Sequence, residues 1–301
     1  MASRPHPPTV PEANAPARSP LERLVDRIDA ATQDRRATTL ATDTVPSGFP
    51  SLDRVLGGGF RRRDLVVLAG DVGSGKSALA LGMALRSAAA GRPAVLLSGE
   101  MREDRVLERA LALEGRAAVD DLRQGALADT ARAAVGAAAV RLRDLPLTVR
   151  PLAGDRFDEV GEALAAAPPP ALVVVDSLQL VEPPRAVAAL EERVAAATQA
   201  LKALALAHDA ALLVTAHTPA LAAGRADPRP ALDDLGGLGA VKQQADVVLG
   251  IYREEMYRPG QGVEGATELL VLKNRNGPTG FVDLYFYARW LRFEDMLDPE
   301  S

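Results

Sequence analysis

The sequence predicts a doubly wound α/β fold, a mostly parallel central sheet flanked by helices, with antiparallel strands at its C-terminal end. Three observations carry this expectation. Apolar runs without polar alternation recur at residues 65–68, 94–97, 172–175 and 211–214, the character of strands covered on both faces. Helical stretches near 76–90, 102–114, 156–166 and 187–208 lie between them, and such alternation builds parallel sheets. A glycine-rich turn, Gly70-Asp71-Val72-Gly73-Ser74-Gly75-Lys76-Ser77, joins the first run to the first helix.

Taken in order, residues 1–20 are Pro-rich and polar, and read as a disordered tail. Residues 21–44 read as a short helix and a linker. Leu21, Leu24, Val25 and Ile28 recur at helical spacing. Ser19 before Pro20 fits an N-cap with proline at the first helical position. This helix either folds onto its own domain or docks on a neighbouring chain. Residues 45–298 form the main domain. Within it, 115–146 is Ala-rich and reads as helical, with no evident chemistry. Residues 247–252, 268–273 and 281–286 are apolar runs separated by Gly/Pro-rich loops, which suggests antiparallel strands appended to the sheet.

Composition narrows the function classes. The 301 residues contain no Cys, which removes disulfides, thiolate metal sites and cysteine nucleophiles. Three scattered His make a zinc site a poor expectation. No run approaches eighteen apolar residues and the N-terminus lacks an apolar signal core, so a cytoplasmic protein without membrane contact is expected. A net charge of −5 argues against a generally basic nucleic-acid coat but not against a local basic strip. Lysine occurs only at 76, 202, 242 and 273, and asparagine only at 14, 274 and 276. Three of these seven residues share Lys273-Asn274-Arg275-Asn276.

The chemistry centres on the glycine-rich turn, which matches G-x-x-x-x-G-K-[ST] in full. Backbone N–H groups of Gly70, Asp71, Val72, Gly73, Ser74 and Gly75 can close around phosphates at a helix N-terminus. Lys76 reaches the β- and γ-phosphates, and Ser77 can ligate Mg²⁺. Hence a nucleoside triphosphate is the expected ligand. Asp176 ends the run 172–175, where a carboxylate can hold Mg²⁺ through water; the alternative is a strand-terminal Asp that caps a turn. Glu100 ends another run, where it could serve as general base or simply be solvated. His217 follows the run 211–214 and suits either a γ-phosphate sensor or a structural hydrogen bond. Lys273 and Arg275, two residues apart before a Gly/Pro turn, project the same way. They suit either a triphosphate on another subunit or an exposed basic hairpin.

These stretches resemble the C-terminal, RecA-type motor domain of the DnaB replicative helicase family over roughly residues 45 to 295. The resemblance rests on Val45-Pro46-Ser47-Gly48-Phe49 with Leu52-Asp53, the phosphate loop, Ser98-Gly99-Glu100-Met101, and Asp176-Ser177-Leu178-Gln179-Leu180. It continues through Ala245-Asp246-Val247-Val248, Ile251-Tyr252-Arg253-Glu254-Glu255 and Lys273-Asn274-Arg275-Asn276-Gly277-Pro278-Thr279-Gly280. It implies a RecA-like P-loop NTPase in a homo-hexamer or similar ring, hydrolysing ATP at subunit interfaces to translocate on single-stranded DNA. Replication or repair proteins are the implied partners. Glu100 becomes the catalytic glutamate, and His217 takes the sensor position, usually Gln in the family. Lys273 and Arg275 act in trans, and helix 21–28 falls where the family has a linker helix docked on the adjacent subunit.

The loop holding Gly236, Gly237 and Gly239, followed by Lys242, stands where the helicases grip DNA, with glycines in place of an Arg and a Glu. Only about forty residues precede the motor, so the family's N-terminal helical domain is not expected. The run Leu56-Gly57-Gly58-Gly59 and the Ser98-Gly99-Glu100 form lie closer to the RadA and KaiC branch. Two alternatives therefore stand beside the helicase: a RadA- or KaiC-like ATPase in repair or signalling, and an ATP-switched assembly module that does not unwind DNA.

Overall fold

The computed structural model describes residues 43–152, 157–185, 187–218, 225–260 and 262–296, with Ser19 and several helical positions between 21 and 29. The tail expected over 1–20 otherwise lies outside the described residues. The chain divides into two units, Met1–Asp43 and Thr44–Ser301.

In the first unit, the Ser19 N–H donates to Glu22 Oε2 at 2.6 Å, and the Glu22 N–H donates to Ser19 Oγ at 3.2 Å. This reciprocal pair is a capping box and fixes the helix start where the sequence indicates. Those hydrogen bonds to Ser19 hold the Glu22 carboxyl below its ordinary value. Leu21, Val25 and Ile28 are exposed.

The second unit is built on a nine-stranded sheet. Its strands are β3 (Leu65–Gly70), β4 (Ala94–Ser98), β5 (Leu147–Pro151), β6 (Leu172–Asp176), β7 (Ala211–His217), β8 (Val247–Arg253), β9 (Ala266–Asn274), β10 (Gly280–Tyr287) and β11 (Arg292–Asp295). They lie in the order β11-β10-β9-β8-β3-β7-β6-β4-β5, so β3 is central. A small antiparallel pair, β1 (Thr44–Val45) and β2 (Phe60–Arg61), stands apart with helix α1 (Pro50–Val55) between its strands. The remaining helices are α2 (Lys76–Ala89), α3 (Glu103–Gly115), α4 (Val119–Gln124), α5 (Asp129–Asp144), α6 (Phe157–Leu164), α7 (Leu190–Ala207), α8 (Ala240–Gln244) and α9 (Glu254–Tyr257).

The unalternated strands are buried on both faces, as their composition requires. Val66 and Leu68 of β3 join the core on the α2 side, with Leu79, Met83 and Leu85. Leu65, Val67 and Ala69 enter the opposite core with Val194, Ala197 and Leu201 of α7. Because successive residues face opposite ways, a six-residue strand serves two cores.

Three elements differ from the sequence reading. Strand β8 is parallel to β3 and antiparallel to β9, so chain reversal begins after β8, not before it. The long connection from β7 allows the crossover that a parallel pairing needs. The Ala-rich 115–146 stretch is chiefly two helices, and parallel strand β5 follows it at the sheet edge. That strand buries little apart from Val149 and carries Arg150 and Pro151, so no apolar run announces it. Strand β11 adds a third antiparallel pairing, with Phe286 opposite Phe293.

Sheet register gathers polar residues at both ends of β3. At its C-terminal end, Gly70 lies opposite His217, and in the neighbouring pair Ser98 lies opposite Asp176. At its N-terminal end, the Leu65 N–H donates to Asp246 Oδ2 at 2.8 Å and the Asp246 N–H donates to the Leu65 carbonyl at 2.9 Å. Asp64, just before β3, accepts a 3.0 Å hydrogen bond from Asn276 Nδ2. Burial, reinforced by the Asp246 charge, pushes its carboxyl up to about 6.

A raised carboxyl pKa means that ionising Asp64 costs the folded state stability. The cost is absent below pH 3.8, where the group is protonated folded and unfolded, and complete above about pH 6. Asp64→Asn is therefore expected to stabilise the protein progressively across that window. Solvent screening at this partly buried position reduces the gain to about 1 kcal/mol. Urea unfolding at about pH 4 and about pH 7.5 checks this, and an equal effect at both values would contradict it.

Candidate active site

The turn after β3 is shaped by two glycines with positive φ, Gly73 at 80° and Gly75 at 98°. A side chain at Gly75 would meet Phe293 Cζ at 2.8 Å, so both conformation and space demand glycine there. Gly75 caps α2, whose first residue is Lys76. The loop's N–H groups thus stand at a helix N-terminus, the favoured place for phosphate oxygens. Val72 at the loop tip is exposed, and Ser74 Oγ is buried without a hydrogen-bond partner among the described residues.

Lys76 is buried, and its Nζ donates to the Asp71 carbonyl at 2.8 Å. Burial pushes its ammonium pKa down, against the pull of Glu100, Asp176 and Asp71. The next residue connects the loop to β6: Ser77 Oγ donates to Asp176 Oδ1 at 3.1 Å. Thr215 Oγ1 from β7 donates to the same oxygen at 2.5 Å. Burial raises the Asp176 carboxyl, partly offset by these two hydroxyls. A hydroxyl and a carboxylate side by side form an oxygen donor set suited to Mg²⁺.

Glu100 lies beyond β4 and is tied to both neighbouring strand ends. Its Oε1 is 2.8 Å from His217 Nε2 and accepts from Ser177 Oγ at 2.8 Å. Burial would raise its carboxyl, but the hydrogen bonds from His217 and Ser177, helped by Lys76, hold it below its ordinary value. An ionised carboxylate at the mouth of a phosphate loop can accept a proton from water. Gln179 fixes the His217 backbone from both sides, its Nε2 donating to the carbonyl at 3.2 Å and its Oε1 accepting from the N–H at 3.3 Å. His217 Nδ1 is buried without a partner among the described residues.

The loop is also braced from β8 and α9. Arg253 Nη1 donates to the Gly73 carbonyl at 3.0 Å, and Tyr257 Oη donates to Asp71 Oδ2 at 3.4 Å. The Arg253 guanidinium lies 4.4 Å from the Phe286 ring centroid.

The structure therefore gathers Lys76, Ser77, Asp176, Glu100 and His217 into one site. Lys273 and Arg275 lie elsewhere, at the C-terminal end of β9, beside the start of β8. Lys273 Nζ donates to the carbonyls of Lys242 and Gln243, at 2.7 and 3.2 Å. Arg275 Nε contacts Asp246 Oδ1 at 2.8 Å. In the glycine loop, Gly236, Gly237 and Gly239 all have positive φ. The Gly237 N–H donates to Glu191 of α7, and Lys242 Nζ pairs with Asp233 at 2.6 Å. Sequence reasoning missed the supporting roles of Ser177, Thr215 and Gln179. Only the parallel register of β6 and β7 brings them to the site.

With this geometry in view, the family is clear. The family model of the DnaB-like helicase C terminal domain matches residues 44–295, and the chain belongs to that family. It is 33% identical over 129 residues to the replicative DNA helicase DnaB of Buchnera aphidicola subsp. Schizaphis graminum, covering 43% of this chain and 28% of that protein. With the DnaB of Leifsonia xyli subsp. xyli the identity is 35% over 125 residues, or 42% and 27% of the two lengths. The matches thus span less than a third of each of these relatives. Among solved structures, one described as an ATPase domain superposes with a TM-score of 0.83 at 25% identity, covering 92% of this chain and 99% of that one. A DnaB-like replicative helicase, described with its interactions with primase, gives 0.82 at 25% identity, covering 93% and 67%. Among the described residues, no helix is long and apolar enough to cross a membrane.

The hydrogen bond from His217 makes a titration prediction. His217→Ala removes the side-chain bond that most lowers Glu100, so the Glu100 carboxyl pKa is expected to rise. Carbon-13 NMR titration of the carboxyl checks this; an unchanged midpoint would show that His217 does not tune it.

Proposed function

We propose that this chain is an ATP-driven motor domain that hydrolyses ATP between subunits of a homo-hexamer or similar ring and moves along single-stranded DNA. The observation carrying this reading is that its two sets of chemical groups stand at opposite ends of one strand. The phosphate loop follows the last residue of β3, and the Arg275 hairpin lies beside the first. Six residues at about 3.3 Å each separate the two by roughly 20 Å. Arg275 therefore has no route to its own subunit's loop, and a neighbour's loop is the fitting target. Membership of the DnaB-like family supports the same reading.

In this reading the loop N–H groups and Lys76 bind the triphosphate. Ser77 and Asp176 hold Mg²⁺, which when bound neutralises phosphate charge. Glu100, ionised, orients and deprotonates the attacking water, and His217 reports the state of the γ-phosphate to β7. Lys273 and Arg275 of the adjacent subunit stabilise negative charge on the transferring phosphoryl oxygens. Gly236, Gly237, Gly239 and Lys242 meet the DNA backbone through N–H groups and one ammonium. Their acidic partners Glu191 and Asp233 must give way to phosphate, which makes DNA engagement a competition within the loop. Residues 45–298 constitute the motor, and helix 21–28 docks its exposed Leu21, Val25 and Ile28 on a neighbouring subunit. Replication or repair proteins in the cytoplasm are the proposed partners.

Arg275→Ala is expected to bind ATP almost normally while hydrolysis falls by about 10³-fold or more. Mixed with Glu100→Gln subunits, it should recover part of the activity wherever an intact Glu100 meets an intact Arg275 across an interface. The activity should also rise on adding single-stranded DNA. Wild-type hydrolysis by Arg275→Ala alone, or no recovery in verified mixed assemblies, would contradict action in trans.

A further inference from the structure

Three of the four lysines and two of the three asparagines meet at one corner of the molecule, away from the phosphate loop. Lys202 reaches Asp246 from α7. Lys242 lies on α8, and Lys273 Nζ is tied to the carbonyls that end that helix. Asn276 holds Asp64, and Asn274 Nδ2 donates to the Pro278 carbonyl at 3.1 Å to close the hairpin turn. The centre of this corner is Asp246, whose side chain is only 3% exposed.

The Asp246 carboxylate has more partners than its burial requires. Its Oδ2 accepts from the Leu65 N–H and from Lys202 Nζ. Lys202 alone neutralises the charge, the condition for keeping a carboxylate so deep. Oδ1 nevertheless holds a second cation, the Arg275 guanidinium, through Nε at 2.8 Å. The Arg275 N–H also donates to the Asp246 carbonyl at 2.8 Å, and Nη2 donates to the Gln243 carbonyl at 3.3 Å. Arg275 is thus gripped at its backbone and on two guanidinium nitrogens. Nη1 makes no hydrogen bond among the described residues, and the side chain is still 53% exposed. The neighbouring Asp64 carboxylate accounts for a second cation at this corner, but not for a grip at its backbone and on two guanidinium nitrogens; orientation does.

We propose that Asp246 is a positioning residue, fixing the Arg275 guanidinium so that Nη1 points toward the neighbouring subunit's γ-phosphate. The proposal rests on the reading of Arg275 as the trans-acting finger. An arginine side chain has many rotamers, and a finger held in place before assembly loses less freedom when the transition state forms. Lys202 holds the carboxylate from behind, and the Leu65 N–H anchors it to the central strand. The orientation of the finger is therefore set by the most deeply packed part of the sheet.

The test is a double-mutant cycle in the full chain. Asp246→Asn alone would strand Lys202 in the interior, so it is combined with Lys202→Met, which removes both charges together. In an Arg275 background, this pair is expected to lower kcat for ATP by about 10- to 100-fold, with KM within about twofold. In an Arg275→Ala background, the same pair should change kcat no further, because its effect passes through the guanidinium. Asp246→Glu, which keeps the charge but moves the carboxylate by one methylene, should show the same dependence on Arg275 if the paired variant does not fold. An equal loss in both backgrounds would make the cluster merely structural, and an unchanged kcat in the Arg275 background would remove the positioning role; either overturns the proposal. If Arg275→Ala itself leaves hydrolysis intact, the finger reading fails first and this proposal with it.

Discussion

The length and rigidity of β3 govern everything else in this molecule. It is the central strand, packed on both faces and bonded to β7 and β8, so its two ends cannot approach one another. One end releases the chain into the phosphate loop, and the other is locked to Asp246 and, through it, to the Arg275 hairpin. The phosphate loop and the Arg275 hairpin therefore stand at opposite ends of one strand. Under the proposed reading, assembly is the only way to bring the two together.

At the nucleotide end, the strands act as a set of registered posts. β3 contributes the loop with Lys76 and Ser77, β6 contributes Asp176 and Ser177, and β7 contributes Thr215 and His217. Glu100, arriving after β4, is bonded to groups from β6 and β7. A shift of the γ-phosphate that disturbs Glu100 would therefore be felt at His217, whose backbone is clamped by Gln179. From β7 the chain continues toward the glycine loop and α8, whose final carbonyls receive Lys273. Under the proposed reading, nucleotide state, the glycine loop and the Arg275 hairpin share one covalent and hydrogen-bonded route. The Gly237 N–H and the Lys242 ammonium are already answered by Glu191 and Asp233, the acidic partners that DNA would displace under the proposed reading.

The legible parts of this architecture are the local ones. The phosphate loop declares itself because its glycines, its lysine and its serine all act within a single turn between strand and helix. Strands β3, β4, β6 and β7 declare themselves because double-sided burial favours unbroken apolar runs inside them. Ser19 is legible as a cap for the same reason: its partner Glu22 is three residues away. What cannot be read depends on partners far along the chain. Strand β5 has little buried besides Val149 and no apolar run, and β8 takes its direction from a crossover that begins at β7. Thr215 and Ser177 are ordinary hydroxyls until parallel register sets them beside Asp176 and Glu100. Asp246 reads as one letter of a family motif, and its link to Arg275 joins two separate strand ends. Scarcity of lysine and asparagine points to the right hairpin, but not to the carboxylate that holds it.

Under the proposed reading, a lone subunit cannot complete its own site. ATP turnover per subunit, measured as the protein is diluted while light scattering reports mass, tests it most directly. Turnover per subunit should fall in step with the loss of assembled species and return on reconcentration. Isolated subunits that hydrolyse ATP as fast as the assembly would contradict the account.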